Sequence, residues 1–203
     1  MQELSAEQED TREIRLWIRA LRSDITDAII EFRKLHPQIV FKTVFDFSDQ
    51  DPDSFDLIID ERTDRYPTLT CNELCRMGLS FTASKDSPLC GRKWTVRQLS
   101  QQAFVSMGEN SNMHNLLLHT CQKAGFTPNI SVLCNDAKCF EKLVESGIGI
   151  GLERSAAKGA HAERICPLQV TDFHEQYIVC AYSQQPLYGN VQHFLNFLQH
   201  RTY

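Results

Sequence analysis

A change of hydrophobic period near the start of the chain limits its fold more than any other feature. Every second side chain from residue 14 to residue 18 is isoleucine or leucine, which predicts a strand with one face in a core. The apolar side chains of 25–35 then repeat at helical spacing until Pro37, and a β-rich run follows at 39–47. This β-α-β order is typical of α/β folds.

The same alternation returns along the rest of the chain, which predicts two α/β lobes with two crossing strands and a boundary near Ser84. Residues 1–11 are acidic without apolar periodicity and are expected to form a solvated tail, and 48–54 is expected to be a loop. Further strands are predicted at 55–59, 79–83, 104–107, 130–134, 148–152 and 177–182, and helices at 95–101, 111–125, 136–146 and 191–198.

Composition narrows the class of protein. The 203 residues are 42% hydrophobic and 23% charged, as in an ordinary folded protein. Apolar runs are too short to cross a bilayer, and Met1, Gln2 and Glu3 do not open a signal peptide, so we expect a cytoplasmic protein without membrane contact. The net charge of −5 argues against a freestanding nucleic-acid binder.

The cysteines and acidic residues give weak metal motifs. All eight cysteines are expected to be reduced thiols, because a chain of this length can build a core without disulfides. The pairs Cys71/Cys75 and Cys134/Cys139 could bind zinc only if they converged, but they fall in different predicted lobes. Residues 49–53 imitate half of a calcium loop without its turn glycine. We therefore predict no metal site.

Catalytic and cofactor motifs are also missing. No two histidines lie four residues apart, Gly-x-Ser-x-Gly is absent, and no nucleophile and base pair stands out. The glycines of 147–151 follow a helix and precede a strand, which is the wrong order for a dinucleotide fingerprint. We predict neither an enzyme nor a bound cofactor.

Five motifs, taken in order, resemble the regulatory half of LysR-type transcriptional regulators. They are Phe-Arg-Lys-Leu-His-Pro at 32–37, Phe-Asp-Leu-Ile-Ile at 55–59, Asp-Ser-Pro-Leu at 86–89, Cys-Gln-Lys-Ala-Gly-Phe-Thr-Pro at 121–128 and Val-Glu-Ser-Gly-Ile-Gly-Ile-Gly-Leu at 144–152. The resemblance covers roughly residues 12 to 200.

The resemblance implies a two-lobed fold like that of periplasmic binding proteins, with an effector cleft between the lobes. Lobe I would comprise 12–84 with 183–203, and lobe II 85–182. In this family an N-terminal winged helix-turn-helix contacts DNA, and there is no room for one before residue 12, so we expect a sensor domain without its DNA reader. The family also implies an antiparallel homodimer, in which the helix Asp24–Leu35 meets the second lobe of a partner.

Two departures from the family pattern concern the cleft. The turn between the first strand and the first helix is shorter than usual, and the helix that normally precedes the 55–59 strand is replaced by the 48–54 loop. One wall of the cleft is therefore expected to be remodelled.

Candidate effector contacts lie where strands end and helices begin, because free backbone N–H groups point out there. The resemblance supports the second and third of three such segments. Arg19 or Arg22 could pair with a carboxylate or phosphate. The alternatives are that the two arginines face solvent, that Ser23 caps the first helix, and that Ser111, Asn135 and Asp136 are only helix caps. The candidate contacts are Arg19, Arg22 and Ser23, then Ser106, Met107, Asn110 and Ser111, and finally Asn135 and Ala137.

The sequence thus predicts a domain that senses a small metabolite, with an anion as one option, and transmits lobe closure to a DNA-binding module. Two alternatives stay open. One is a solute-binding protein of a transporter, and the other is an interaction module that has lost its ligand.

Overall fold

The computed structural model describes residues 13–48, 50–155, 160–187 and 189–203, so the predicted tail at 1–11 lies outside it. The strands are β1 Glu13–Ile18, β2 Val40–Val44, β3 Leu57–Glu61, β4 Thr70–Ser84, β5 Lys93–Trp94, β6 Ala103–Met107, β7 Asn129–Cys134, β8 Gly151–Arg154, β9 Ile165–Pro167, β10 Gln169–Val170 and β11 Gln176–Ser183. The helices are α1 Arg22–Leu35, α2 Asn112–Lys123, α3 Ala137–Glu145, α4 Ala160–Arg164 and α5 Gly189–Gln199, and 3₁₀ turns form at Pro52–Ser54 and Val96–Leu99.

The chain divides into two compact α/β units. The first comprises the residues up to Arg76 together with Ile178–Tyr203, and the second comprises Met77–Tyr177. The chain leaves the first unit within β4 and returns to it within β11. The two-lobed α/β fold with two crossing strands is therefore confirmed.

The first unit is built on β1. This strand pairs in parallel with β2 on one side and β3 on the other, and β11 pairs antiparallel with β3. On α1 the buried residues Ile25, Ala28 and Phe32 repeat at helical spacing. The ring of Phe32 packs edge-on against Phe194 of α5, with 5.0 Å between ring centroids.

The second unit holds a parallel pair, β6 and β7, and an antiparallel set in which β4 pairs with β8 and β9. Its core cluster joins Val105 of β6 to Phe140 and Val144 of α3 and to Ile165 of β9. Gly151 is required where β8 passes α3, because a Cβ there would lie 2.6 Å from the Phe140 ring. Among the described residues, no helix is long and apolar enough to cross a membrane.

The start of α1 differs from the prediction. The helix begins at Arg22, and the residue before it, Leu21, has a left-handed conformation with φ 53°. Ser23 therefore lies inside the first turn, where it is exposed, and the prediction that it caps α1 is wrong. The buried side chain of Leu21 explains the early start, since it is drawn into the core as the chain turns.

Two strands begin three or more residues away from their predicted starts, whereas the other predicted strands begin within two residues of theirs. β4 begins at Thr70 rather than at residue 79, and β8 begins at Gly151 rather than at 148. The first half of β4 is polar, and its strand conformation depends on its neighbour β11, to whose Ala181 carbonyl Asn72 donates a hydrogen bond of 3.2 Å. Local periodicity does not report such pairing.

The cysteines also depart from expectation, because a disulfide joins Cys90 to Cys166. The other six cysteines are not in disulfides, including both members of the Cys71/Cys75 and Cys134/Cys139 pairs. Among the described residues, which exclude Asp49 of the calcium-like run, no group of His, Cys, Asp and Glu side chains could hold a metal ion.

Candidate functional site

The first-unit turn, residues 19–23, links β1 to α1 and carries three of the predicted contacts. The backbone N–H groups of Arg19 and Ala20 both donate to the Ile59 carbonyl, at 2.8 and 3.1 Å. The Leu21 carbonyl accepts from the Ile25 N–H at 2.8 Å. These bonds hold a non-glycine residue in the left-handed region, a conformation that proteins tend to keep at functional sites.

Arg19 does not face solvent. Its Nε lies 2.9 Å from Oδ2 of Asp60, both side chains are about 1% exposed, and its Nη1 donates to the Phe47 carbonyl at 3.1 Å. Tyr66 donates to Asp60 at 2.8 Å, and burial followed by the charge of Asp60 raises the pKa of Tyr66, so it stays a donor. The solvent-facing alternative for Arg19 is therefore wrong, and its charge is compensated inside the first unit.

Arg22 is the more accessible arginine of the turn. Its guanidinium stacks over the ring of Phe47, 4.2 Å from the ring centroid, and the residue is partly exposed although its Nε and Nη2 atoms are buried. Phe47 thus contacts both arginines, because Arg19 lies 5.8 Å from the same centroid. The sequence did not predict a role for Phe47. Its only signal is an aromatic side chain at the end of the β-rich run 39–47.

The second-unit site, residues 106–112 and 134–137, is formed by two neighbouring strand ends. Because β6 and β7 are parallel with Met107 opposite Cys134, both strands end at the same edge of their sheet. There α2 begins after Ser111 and α3 begins after Asp136, so two helix N-termini lie at one edge. The two loops touch, since a Cβ at Gly108 would collide with the Asn135 amide.

Ser106 lies at this edge but inside the protein. It is 3% exposed, and its hydroxyl lies 2.9 Å from Nδ1 of His114 and 3.1 Å from the Met107 carbonyl. Sequence reasoning missed this Ser–His contact, because the two residues belong to different elements. The hydroxyl already has two protein partners, so the pair holds α2 against β6.

Ser111 and Asp136 act as helix N-caps, which is the alternative that the sequence left open for both residues. Ser111 accepts from the His114 N–H at 3.1 Å, and Asp136 accepts from the Cys139 N–H at 2.8 Å, which confirms both as N-caps. Asn110, Asn135 and Ala137 are exposed, whereas Met107 is partly buried against the second-unit core. The exposed polar groups of the site are therefore the two asparagine amides, together with the Glu109 and Asp136 carboxylates.

A separate cavity of about 460 Å³ lies within the second unit. The end of β4, residues 86–89, Gln102 and the turn after α3 line it, and none of the predicted contacts does. The predicted contacts and this cavity are therefore distinct places.

Comparisons with known proteins agree with the fold. The LysR substrate binding domain family matches residues 10–202. No curated protein matches the chain in sequence. Among solved structures, the regulatory domain of Synechocystis PCC6803 CcmR in complex with 2-PG is similar, with a TM-score of 0.80 and 17% identity over 92% of this chain and 95% of that one.

Two further structures give the same result. The C-terminal domain of a probable LysR family regulator from Rhodococcus sp. RHA1 has a TM-score of 0.77 and 14% identity, over 92% of this chain and 98% of that one. The effector binding domain of QuiR in complex with shikimate has a TM-score of 0.73 and 15% identity, over 92% and 95%. At such identities these structures establish the fold, and the family match covers nearly the whole sequence. The chain therefore belongs to the LysR substrate binding domain family.

Proposed function

We propose that this domain binds a small metabolite with the first-unit turn and the second-unit site and thereby controls a LysR-type regulator. The observation that carries the proposal is the second-unit edge, where two parallel strands end, two helices begin and the amides of Asn110 and Asn135 are exposed. Sites of this geometry are where α/β folds bind small polar ligands. The CcmR and QuiR domains were solved with 2-PG and with shikimate, respectively.

The two halves contribute different chemistry. In the first-unit turn, Arg22 offers a guanidinium braced by Phe47, which suits a carboxylate, a phosphate or an aromatic ring. In the second-unit site, the amides of the exposed residues Asn110 and Asn135 would orient hydroxyl or carbonyl groups. Because Arg19 is paired with Asp60, we assign it a supporting role, in which it fixes the Phe47 backbone.

The mechanism is a shift between conformations. We take the lobes to be residues 12–84 with 183–203 and residues 85–182. A ligand that touches both lobes favours the closed form only by its higher affinity for that form. Closure would then be transmitted to DNA through a helix-turn-helix domain, which is separate from the domain described here. We take the whole protein to be cytoplasmic. Domains of this family are generally not enzymes, and the family match gives no support to a transport role.

A homodimer fits the exposed apolar residues. On α1, Ile30 and Leu35 are 50% and 70% exposed, and on β2 Val40 is 52% exposed. In the second unit Leu133 and Ile148 are also exposed. We propose that α1 meets the second lobe of a partner copy. Leu35→Glu should then convert dimer to monomer in sedimentation velocity, whereas the matched change at exposed Lys34, Lys34→Glu, should not.

A thermal-shift screen tests the effector proposal. Metabolites weighted towards carboxylates, phosphates and aromatics are added at roughly 100 times the dissociation constant, where binding stabilises a fold by about 2.7 kcal/mol. The thermal stabilisation by a hit should be smaller in Arg22→Ala and in Asn135→Ala than in the wild type. It should be unchanged in Arg92→Ala, which removes an exposed arginine elsewhere. A compound that stabilises both site variants as much as the wild type would show that the effector binds elsewhere. If no compound stabilises the domain, an interaction module without a ligand is favoured.

A further inference from the structure

A buried histidine in the second unit joins three elements, and none of its partners belongs to the proposed effector contacts. His161 of α4 is 8% exposed. Its Nδ1 lies 2.8 Å from Oε1 of Glu145, the last residue of α3. Its Nε2 lies 3.0 Å from Oε2 of Glu153 on β8. The imidazole therefore bridges two carboxylates that are only 15% exposed.

The remaining oxygens of the two carboxylates also have partners. Oε2 of Glu145 pairs with Arg164 at 3.2 Å, which keeps this carboxyl ionised. Oε1 of Glu153 accepts a hydrogen bond from the Thr82 hydroxyl on β4. A neutral imidazole has one N–H and could donate to only one carboxylate, leaving a lone pair facing the other. The imidazolium donates to both, so this geometry fits the charged form.

The charges around the ring favour the same form. Glu145 and Glu141 face His161 from α3, and Glu153 faces it from β8. Among the described residues, Arg164 of α4 pairs with Glu145, and Lys85 after β4 donates from its Nζ to the Glu163 carbonyl. Burial lowers the pKa of His161, but the hydrogen bonds and charges of the glutamates outweigh it, and the pKa is raised above its ordinary value. The hydrogen bond from His161 in turn lowers the pKa of Glu145.

We propose that His161 is a proton-operated latch, whose imidazolium fastens α4 to α3 and β8 and whose deprotonation releases α4. The tie is complete below the ordinary histidine pKa of about 6.5 and is lost as pH rises through the higher value in the folded protein. The turn that follows Glu145 forms one wall of the 460 Å³ cavity, so release also loosens that wall. This latch does not depend on the proposed effector site.

The first test follows the wild-type chain. Imidazole resonances are titrated by NMR, with the His161 resonance identified by its loss in His161→Gln. Amide exchange is measured at about pH 6 and about pH 9 and corrected for the intrinsic chemical rate. We expect His161 to titrate above the ordinary histidine pKa of about 6.5, and exchange in 160–167 to rise at least about tenfold while exchange in α2 is unchanged. Titration of His161 at or below about 6.5, or exchange independent of pH, would overturn the latch.

A second variant separates a latch from a merely structural contact. In Glu153→Gln the side-chain amide can donate to the lone pair of a neutral Nε2, so both ring nitrogens are satisfied without the extra proton. Exchange in 160–167 should then stay slow at both pH values, and the pKa of His161 should fall. Exchange that is fast at both values, or that still rises as in the wild type, would contradict the proposal. If this variant does not fold, the wild-type titration decides.

Discussion

In the part of the chain that the structure describes, each unit has a buried cluster in which a cation meets one or two carboxylates. In the first unit the Arg19 guanidinium meets Asp60, and both side chains are about 1% exposed. In the second unit the His161 imidazole meets Glu145 and Glu153. Arginine keeps its charge at any pH that a protein meets, whereas histidine changes charge near neutrality. Similar geometry therefore gives a permanent support for the first-unit turn and a conditional tie in the second unit.

The largest effect is expected from breaking the permanent cluster. Asp60→Asn leaves a buried guanidinium without its counter-charge and should lower the free energy of unfolding by about 3–5 kcal/mol in urea denaturation. The matched control is Asp56→Asn, which breaks the pair between Asp56 and Arg15, whose side chains are 22% and 45% exposed. That change should cost about 1 kcal/mol or less. Equal costs would show that burial does not distinguish the pairs.

The residue beside Asp60 should give a pH-dependent effect. Burial, and then the charge of Asp60, raises the pKa of Glu61 to about 7 from an ordinary 4.5. The folded chain thus keeps a proton that the unfolded chain loses, and stability falls as pH rises from 4.5 to 7. Glu61→Gln should be more stable than wild type by about 2–3 kcal/mol above pH 7 and equal to it below pH 4.5.

Urea titrations of both proteins across this range check the Glu61 prediction. Glu175→Gln, at an exposed glutamate of the second unit, should change nothing. The loss of stability on ionisation of Glu61 overlaps in pH with the loss expected on deprotonation of His161. Only the deprotonation of His161 is expected to speed amide exchange in 160–167. A wild-type stability that does not fall between pH 4.5 and 7 would contradict the raised pKa of Glu61.

The contribution of the His161 cluster to stability should depend on pH, whereas that of the Arg19–Asp60 pair should not. His161→Gln removes the imidazolium and its two charged hydrogen bonds, in exchange for those that a neutral amide can make, and should cost about 1–3 kcal/mol near pH 6. This difference should shrink as pH rises through the raised pKa of His161, because the wild type then loses the same contribution. The loss of unfolding free energy in Arg19→Gln should be the same at about pH 6 and about pH 9. If the two variants showed the same pH dependence, the distinction between the clusters would be lost.

The smallest effect concerns a neutral hydrogen bond at a helix start. Ser111→Ala removes the N-cap of α2 and should cost about 1 kcal/mol at every pH, as measured by urea denaturation. Ser23→Ala is the control, because Ser23 lies at the start of α1 without capping it, and its cost should be within about 0.5 kcal/mol of zero. Equal costs would mean that the cap at Ser111 is energetically silent.

The sequence by itself predicted the parts of this domain that depend on neighbours along the chain. Period-two and helical spacing located β1, α1, α2 and α3, and the local chemistry of Ser111 and Asp136 identified two caps. The ordered motifs were enough to point to the LysR-type family, and the family match confirms that inference. These signals act over a few residues, so periodicity and composition contain them.

Only the tertiary structure decided what the charged side chains do. Arg19 and Asp60 are far apart in sequence, Thr82 and Glu153 are 71 residues apart, and Cys90 and Cys166 are 76 apart. Whether Arg19 faces solvent or a buried carboxylate depends on which strand lies beside β1, and the same holds for His161 between α3 and β8. Hydrogen bonds and ion pairs act over a few ångströms, so their partners are fixed by folding rather than by spacing along the chain.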